Sequence, residues 1–486
     1  MIINISTIHQ TKKILITIIS RNWEIMNMKK TLLSLAVASI VTSSLFADAE
    51  TDALKLQLKA LMERLDSLEA KDKVYEEKAV EMEKQNKEIA AKTDTLLEET
   101  ANLQTGFNFN ELDTDFSHNG MGVAASKVYK SKSPLSIGGY GEMYYANKEN
   151  ADNIADVYRF VPYIGYRFSD NIILNTEIEF EHGGAQTKDD GKDGYAVIEF
   201  MYLDFLIDDS FNLQAGLVLT PMGIINLRHE PTLFNTVQRP NTEKYLLPST
   251  WNTNGVIAYG TIGDSGFTYN AGIVQALNFD NSDAGKQKQI RSSRLGSRGK
   301  STYNNLAGVA RLDYIGMPGL MVGASGYYGT ASQGEVSGAT ALMYDVHATY
   351  ENSGFKAKAL YTATRISDAD KIAANGAYAG GKSIEDANGY YVNVEYDVLN
   401  TIHSDYKLPV FIQYDYINPT DSVVDATNTS VGVDANAEIA TTTFGVNFFP
   451  HEQVVIKADY AMADYKDSAT TKEDQDIFSV SLGFIF

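Results

Sequence analysis

The sequence contains no cysteine. Disulfides, thiolate metal sites, cysteine nucleophiles and a lipid-modified cysteine are therefore excluded. Proline is scarce, at 10 of 486 residues. No apolar run of 18 or more residues occurs after the first 47, which argues against helical membrane spans. Mean hydropathy is accordingly negative, −0.21, although 44% of the residues are apolar. Positive charge is also in deficit. Lys and Arg number 41 against 62 Asp and Glu, a formal net charge of −21, which speaks against nucleic acid as a partner. His9, His118, His182, His229, His347, His403 and His451 are scattered, with no HExxH pair among them. There is no GxxxxGK[ST] phosphate cradle and no local Ser/His/Asp arrangement. The chain is thus not expected to be an enzyme, and no catalytic residue, metal or cofactor is expected.

Tyrosine (29) and glycine (37) are abundant. With no long apolar run, that composition fits many alternating strands better than a helical core. Met28-Lys29-Lys30, followed by the apolar stretch 31–46 and small residues, reads as a secretory signal over 28–47, with cleavage after Ala47 or Ala49. Residues 1–27 read as an over-extended start.

Residues 54–103 keep a heptad pattern without a break. One series is Leu54, Leu61, Leu68, Tyr75, Met82, Ile89, Leu96 and Leu103. The interleaved series is Leu58, Leu65, Asp72, Ala79, Asn86, Thr93 and Thr100. Alternating spacings of four and three make the seam of a left-handed supercoil, and Asn86 in that seam would fix register at some cost in stability. The reading is an oligomeric coiled coil over 50–105, then a linker over 106–134.

From 135 to 486 the period changes to two. About 16 antiparallel strands are expected, closing an all-β transmembrane barrel behind the α-helical coiled coil. The connections alternate in length. Short ones lie at Ser169-Asp170-Asn171, Asp208-Asp209-Ser210, Gly263-Asp264-Ser265, Gly316-Met317-Pro318, Glu351-Asn352-Ser353 and Pro450-His451-Glu452, with a longer one over 400–407. Between them run polar segments at 148–153, 183–194, 220–250, 278–301, 331–340, 367–388, 418–438 and 466–475. Long loops on one side and short turns on the other are the asymmetry of an outer-membrane barrel, and they place the coiled coil in the periplasm. In 172–181, Ile172, Leu174, Thr176, Ile178 and Phe180 form one face, while Asn175, Glu177, Glu179 and Glu181 form the other. Charges on an inner face need a water-filled lumen. The last strand alternates Phe478, Val480, Leu482, Phe484 and Phe486 with small residues. That ending resembles the signal by which such proteins reach the barrel-insertion machinery.

Two loops carry the candidate transport chemistry. The stretch 220–250 holds four prolines together with Arg228, His229, Glu230, Arg239, Glu243 and Lys244, and is expected to fold into the lumen and narrow it. The stretch 280–300 is basic in an acidic chain, with Lys286, Lys288, Arg291, Arg294, Arg298 and Lys300. Such a cluster in a constriction selects anions. Arg159, Arg167 and Arg311 lie at strand positions expected to face the lumen. Glu177, Glu179, Glu181, Glu199 and Asp313 are their expected partners. The run Glu177 to His182 is read as lumen wall or a salt-bridge network rather than a cation site.

Tyr158-Arg159-Phe160-Val161-Pro162-Tyr163-Ile164-Gly165-Tyr166-Arg167-Phe168 leads into 176–182. Then follow Gly216-Leu217-Val218-Leu219-Thr220-Pro221-Met222-Gly223-Ile224-Ile225-Asn226, His229-Glu230-Pro231, Arg239-Pro240 and Pro248-Ser249-Thr250-Trp251. Together these resemble the phosphate-selective porin O/P-like group of outer-membrane channels, closely over 135–300 and more generally thereafter. The resemblance implies a 16-stranded trimeric porin with in-folded loops. The resulting expectation is a passive diffusion channel for ions and small hydrophilic solutes, biased toward anions, in contact with outer-membrane lipid and associated as a homotrimer. The rival is a structural tether, with a closed barrel and a coiled coil that engages the cell wall.

Overall fold

In a computed structural model, the protein is described over residues 20–36, 38, 48–107, 112–184, 194–297, 305–334, 336–375, 381–402, 404–432, 438–465 and 475–486. It divides into two compact units, Met1–Thr105 and Gly106–Phe486. The first unit holds helix α1 over 20–36 and most of the 60-residue helix α2, Asp48–Phe107. Its absence of Pro and Gly before Gly106 and its density of Glu, Lys and Ala let one helix run unbroken. Ile89 and Leu96, members of the heptad seam, remain exposed on the single chain at 61% and 60%.

The second unit is a closed barrel of 16 antiparallel strands, each paired with its sequence neighbours, with β1 paired to β16. The first half comprises β1 (Leu135–Lys148), β2 (Ile154–Ser169), β3 (Ile172–Glu181), β4 (Tyr195–Asp208), β5 (Phe211–Leu219), β6 (Asn252–Thr261), β7 (Phe267–Gln275) and β8 (Leu306–Met317). The second comprises β9 (Leu320–Thr330), β10 (Thr340–Asn352), β11 (Phe355–Ser367), β12 (Lys382–Asp397), β13 (Pro409–Asp425), β14 (Ile439–His451), β15 (Val454–Tyr465) and β16 (Gln475–Ile485). Closure leaves no unpaired edge, the condition for a sheet in hydrocarbon. Among the described residues no helix is long and apolar enough to cross a membrane.

Period-two patterning sorts the side chains. Along β3, Ile173, Asn175, Glu177 and Glu179 are buried inward while Ile172, Leu174, Thr176 and Ile178 lie outward. On β16, Ser479, Ser481, Gly483 and Ile485 are inside and Phe478 is outside. The outer surface is a band of exposed Ile164, Val256, Leu312, Val346, Ile412 and Ile456. Aromatic pairs edge it beside the short turns, Tyr166–Phe168 and Phe267–Tyr314 with ring centroids 5.0 and 5.1 Å apart. Such girdles mark the two membrane interfaces. The β10–β11 turn shows how tight these connections are. Asn352 pairs with Phe355, and Ser353 and Gly354 both take positive φ (50° and 81°), the geometry of a two-residue hairpin that follows strand twist.

The segment 106–134, read from sequence as a linker, differs from that expectation from residue 112 onward. Leu112, Met121, Val123, Ala124, Ala125 and Val128 are buried, and α3 (Val123–Lys130) packs against β1, β2 and β3. Inward-facing polar groups near the short turns hold it. Asn175 Nδ2 donates to the Ala125 carbonyl (2.9 Å), Tyr129 donates to Asp204 Oδ2 (2.6 Å), and the His118 ring stacks on Tyr129 at 3.5 Å. The segment therefore occupies the short-turn end of the lumen.

Candidate functional site: a lumen crossed by one loop

The connection between β5 and β6, residues 220–251, lies inside the barrel. Asn226 closes its base. Its Nδ2 donates to the Thr220 and Trp251 carbonyls (2.7 and 3.0 Å), and its Oδ1 accepts the Trp251 N–H (2.8 Å). From there the loop reaches around the wall. His229 meets Glu177 of β3 (2.9 Å), and the Gly223 N–H donates to Asp345 of β10 (3.1 Å). Lys358 of β11 donates to the Leu233 carbonyl (2.8 Å), and Lys457 of β15 donates to the carbonyls of Phe234 and Thr236 (2.8 and 3.1 Å). The Val237 N–H donates to Asp459 (2.6 Å), and Asp415 of β13 accepts from Asn241 and Thr242. Backbone groups that a surface loop would leave to water are satisfied here by wall charges, which fixes the loop's course.

Two carboxylates of the loop organise its neighbours. Glu243, in the single π-helical turn Thr242–Leu246, accepts the N–H groups of Ile224 and Ile225 (2.9 and 2.6 Å) and the Tyr391 hydroxyl (2.7 Å). Burial pushes its carboxyl up to about 7, while the Ile225 N–H and the Tyr391 hydroxyl pull the other way. Glu230 accepts the Ala125 N–H in the first turn of α3 (3.1 Å), where the helix dipole favours an anion. A Cβ at Gly122 would sit 2.2 Å from Glu230 Oε1, so only glycine allows this approach.

On the side of the loop away from the short turns, Tyr158, Arg159, Val237, Gln238, Arg239, Lys244, Ser249 and Arg291 surround a gap of about 10 Å³. A volume of that size holds about one water. Four of these side chains are cationic and none is acidic. The Arg159 carboxylate partner, Glu142 at 2.7 Å, belongs to the adjacent strand β1, and both side chains are 1% exposed. Arg239 donates to Ser249 Oγ (3.0 Å) and to the His229 carbonyl (3.2 Å), and Arg291 donates to the Lys244 carbonyl (2.9 Å). Burial, then Arg291, Lys288 and Lys148, bring the Lys244 ammonium down to about 8. Toward the short turns the lumen opens into two cavities of about 450 and 540 Å³. Arg228 lines both. The larger also has Lys356, Lys358 and Lys407 facing Glu351, Glu395 and Asp397.

The predicted residues separate into groups. Arg159, Arg239 and Arg291 meet at the gap, while Arg228 lies below it. Arg311 is bound to Asp313 (2.7 Å), to the Gly223 carbonyl and to His347 (2.9 Å), so it buttresses the loop. Arg167 stands at the short-turn end, donating to the Tyr129 and Ser131 carbonyls (3.2 and 3.3 Å), away from the gap. Arg294 is buried and donates to the Thr250 carbonyl (3.2 Å), whereas Lys286 and Lys288 are exposed. Arg298 and Lys300 lie outside the described residues. Glu177 and Glu179 are buried on the inner wall and Glu181 is half-buried beyond them. Glu177 meets His229 rather than an arginine. Lys244 was in the loop singled out from sequence but not among its lining candidates; its place next to Arg239 in space depends on the π-helical turn.

The described architecture has known counterparts. A protein of Aquifex aeolicus is 32% identical over 377 residues, spanning 76% of this chain and 83% of that one. Among solved structures, an anion-selective porin from Comamonas acidovorans is similar at 11% identity, covering 72% of this chain and 99% of that one, TM-score 0.48. Salmonella typhi OmpF, solved with daunomycin, is similar at 10% identity over 72% of this chain and 97% of that one, also with TM-score 0.48. The family model described as phosphate-selective porin O and P matches residues 148–486, which hold 15 of the 16 strands in full and the whole in-folded loop. The chain is an outer-membrane channel protein and belongs to the phosphate-selective porin O and P family.

Proposed function

We propose that this porin is a passive diffusion channel biased toward small anions, with selection made where residues 220–251 narrow the lumen. The observation that carries the reading is the gap lined by Arg159, Arg239, Lys244 and Arg291, with no carboxylate among its lining residues and Arg159 paired behind it to Glu142. Cationic groups around a low-dielectric constriction raise the local anion concentration and repel cations, whatever the net charge elsewhere. A gap of about 10 Å³ passes a solute larger than water only when a side chain such as Lys244 or Arg291 swings aside. The net charge of −21 is a property of the whole chain, whereas selection depends on the charges that line the gap. Reversal potentials under a KCl gradient test the bias: chloride preference is expected, and cation preference overturns it.

We also propose that short turns face the periplasm, so that 50–105 lies there as a coiled coil and holds three chains together. Support comes from the shared short-turn location of the β1 entry and the β16 end, and from the heptad seam with exposed Ile89 and Leu96. In this reading 28–47 is the removed signal, lipid surrounds the apolar band, and the aromatic ending at Phe486 serves the barrel-insertion machinery. The tether reading retains one specific support, the filling of the lumen by 112–134 and 220–251. A folded barrel without conductance would favour it.

A further inference from the structure

We propose that Glu177, Glu199 and His229 form a binding site for one divalent transition-metal ion of zinc-like chemistry, which pins the in-folded loop to the barrel wall. One ligating atom from each residue lies within 4.8 Å of the others. His229 Nε2 is 2.9 Å from Glu177 Oε1 and 3.6 Å from Glu199 Oε2. All three side chains are nearly inaccessible, at 0 to 2% exposure. Two further observations point to a ligand. Glu177 Oε2 and Glu199 Oε2 are buried and accept no hydrogen bond from the described residues. The imidazole is also pre-set, because Nδ1 lies 2.8 Å from the Asn226 carbonyl, and donation there leaves the Nε2 lone pair aimed at the carboxylates. A ligating histidine ordinarily has this arrangement, its far N–H held by a carbonyl that fixes tautomer and ring plane.

Charge supplies the reason for a cation. Glu179, 2% exposed, adds a third buried carboxylate beside Glu199; Arg159, near Glu179, is engaged by Glu142, and Arg294, near Glu199, donates to the Thr250 carbonyl. Even protonated, His229 offsets only one of these charges, and uncompensated buried carboxylates are costly. A divalent ion on two carboxylates and a neutral imidazole balances the trio. One nitrogen and two oxygens suit zinc, which accepts three protein ligands and a water. Calcium asks for six to eight oxygens, and magnesium keeps most of its own water. From sequence, the run Glu177 to His182 reads as lumen wall rather than a cation site; Glu177, Glu199 and His229 lie on β3, β4 and the loop, too far apart in the chain for spacing to join them.

The test counts metal on the folded full chain in detergent, independently of conduction. After exposure to ZnSO4 and dialysis against metal-free buffer, mass spectrometry should find one zinc per chain. Glu199→Gln and His229→Asn should lose it, while Glu181→Gln retains it. No zinc on the wild-type chain overturns the proposal. So does equal retention by Glu199→Gln and His229→Asn, which would place the ion on acidic loops. Should both variants fail to fold, judged by heat-modifiable migration, X-ray absorption of the zinc-loaded wild type decides. One histidine nitrogen among oxygens supports the site, and an all-oxygen shell refutes it.

Discussion

Removing the charges at the gap should weaken anion preference by an amount that can be set in advance. A chloride roughly 6 Å from one cationic group gains about 0.7 kcal/mol at the dielectric constant of water and about 3 kcal/mol at an effective value of about 20. Those limits correspond to about threefold and about a hundredfold in relative anion permeability per charge. The gap is narrow and walled by protein on most sides, so the effect belongs between them. Lys244→Met with Arg291→Gln removes two of the four cations while sparing Arg159 and Arg239, which brace their surroundings through Glu142, Ser249 and the His229 carbonyl. The assay is the zero-current potential of reconstituted channels across a KCl gradient. Near 0.1 M salt, where screening extends about 10 Å, the shift toward cations should be full, and near 1 M, with a length of about 3 Å, it should shrink. Lys286→Gln, at an exposed position that does not line the gap, should change the potential little. An unchanged potential in the double variant, or an equal shift from Lys286→Gln, would refute this placement of the selectivity filter.

Other consequences follow from the same geometry. Because Lys244 is charged below about 8 and neutral above it, anion preference should fall as pH rises from 7 to 9 and should be flat in Lys244→Met, as read from reversal potentials. Glu243→Ala strips the acceptor from two buried amides and a tyrosine hydroxyl. It should loosen the loop by about 2–4 kcal/mol, seen as faster amide exchange at Ile224 and Ile225. Deleting 112–134 should raise unitary conductance by opening the short-turn end of the lumen, with the barrel still heat-modifiable on gels. Deleting 50–105 should convert a three-chain assembly into single barrels by mass photometry.

The barrel was legible because its constraint is local. Each strand must alternate between lipid and lumen, so Ile172 to Glu181 shows its two faces in one line of sequence. The infolding of 220–251 was legible in part, since prolines and paired charges in a long connection suit an enclosed loop; its anchors on β3, β10, β11, β13 and β15 were not. The basic patch at 280–300 looked uniform. It divides: Arg291, in the short helix Gln289–Ser293, donates to the Lys244 carbonyl and Arg294 to the Thr250 carbonyl, while Lys286 and Lys288 are exposed. Arg167 points inward as its strand position implies, but its partners, the Tyr129 and Ser131 carbonyls, belong to the segment that fills that end of the barrel. The folding of 112–134 was hidden most completely. Its anchors are distant in the chain: Ala125 meets Asn175 and Glu230, and Tyr129 meets Asp204, each 50 or more positions away.

The most direct measurement is single-channel conductance of the folded, full-length protein in a planar bilayer under a KCl gradient. Small stepwise openings with a reversal potential on the chloride side are expected of a lumen narrowed by 220–251 and lined by Arg159, Arg239, Lys244 and Arg291. Cation preference would contradict the assignment of the gap. Silence from a demonstrably folded barrel would contradict the channel reading itself.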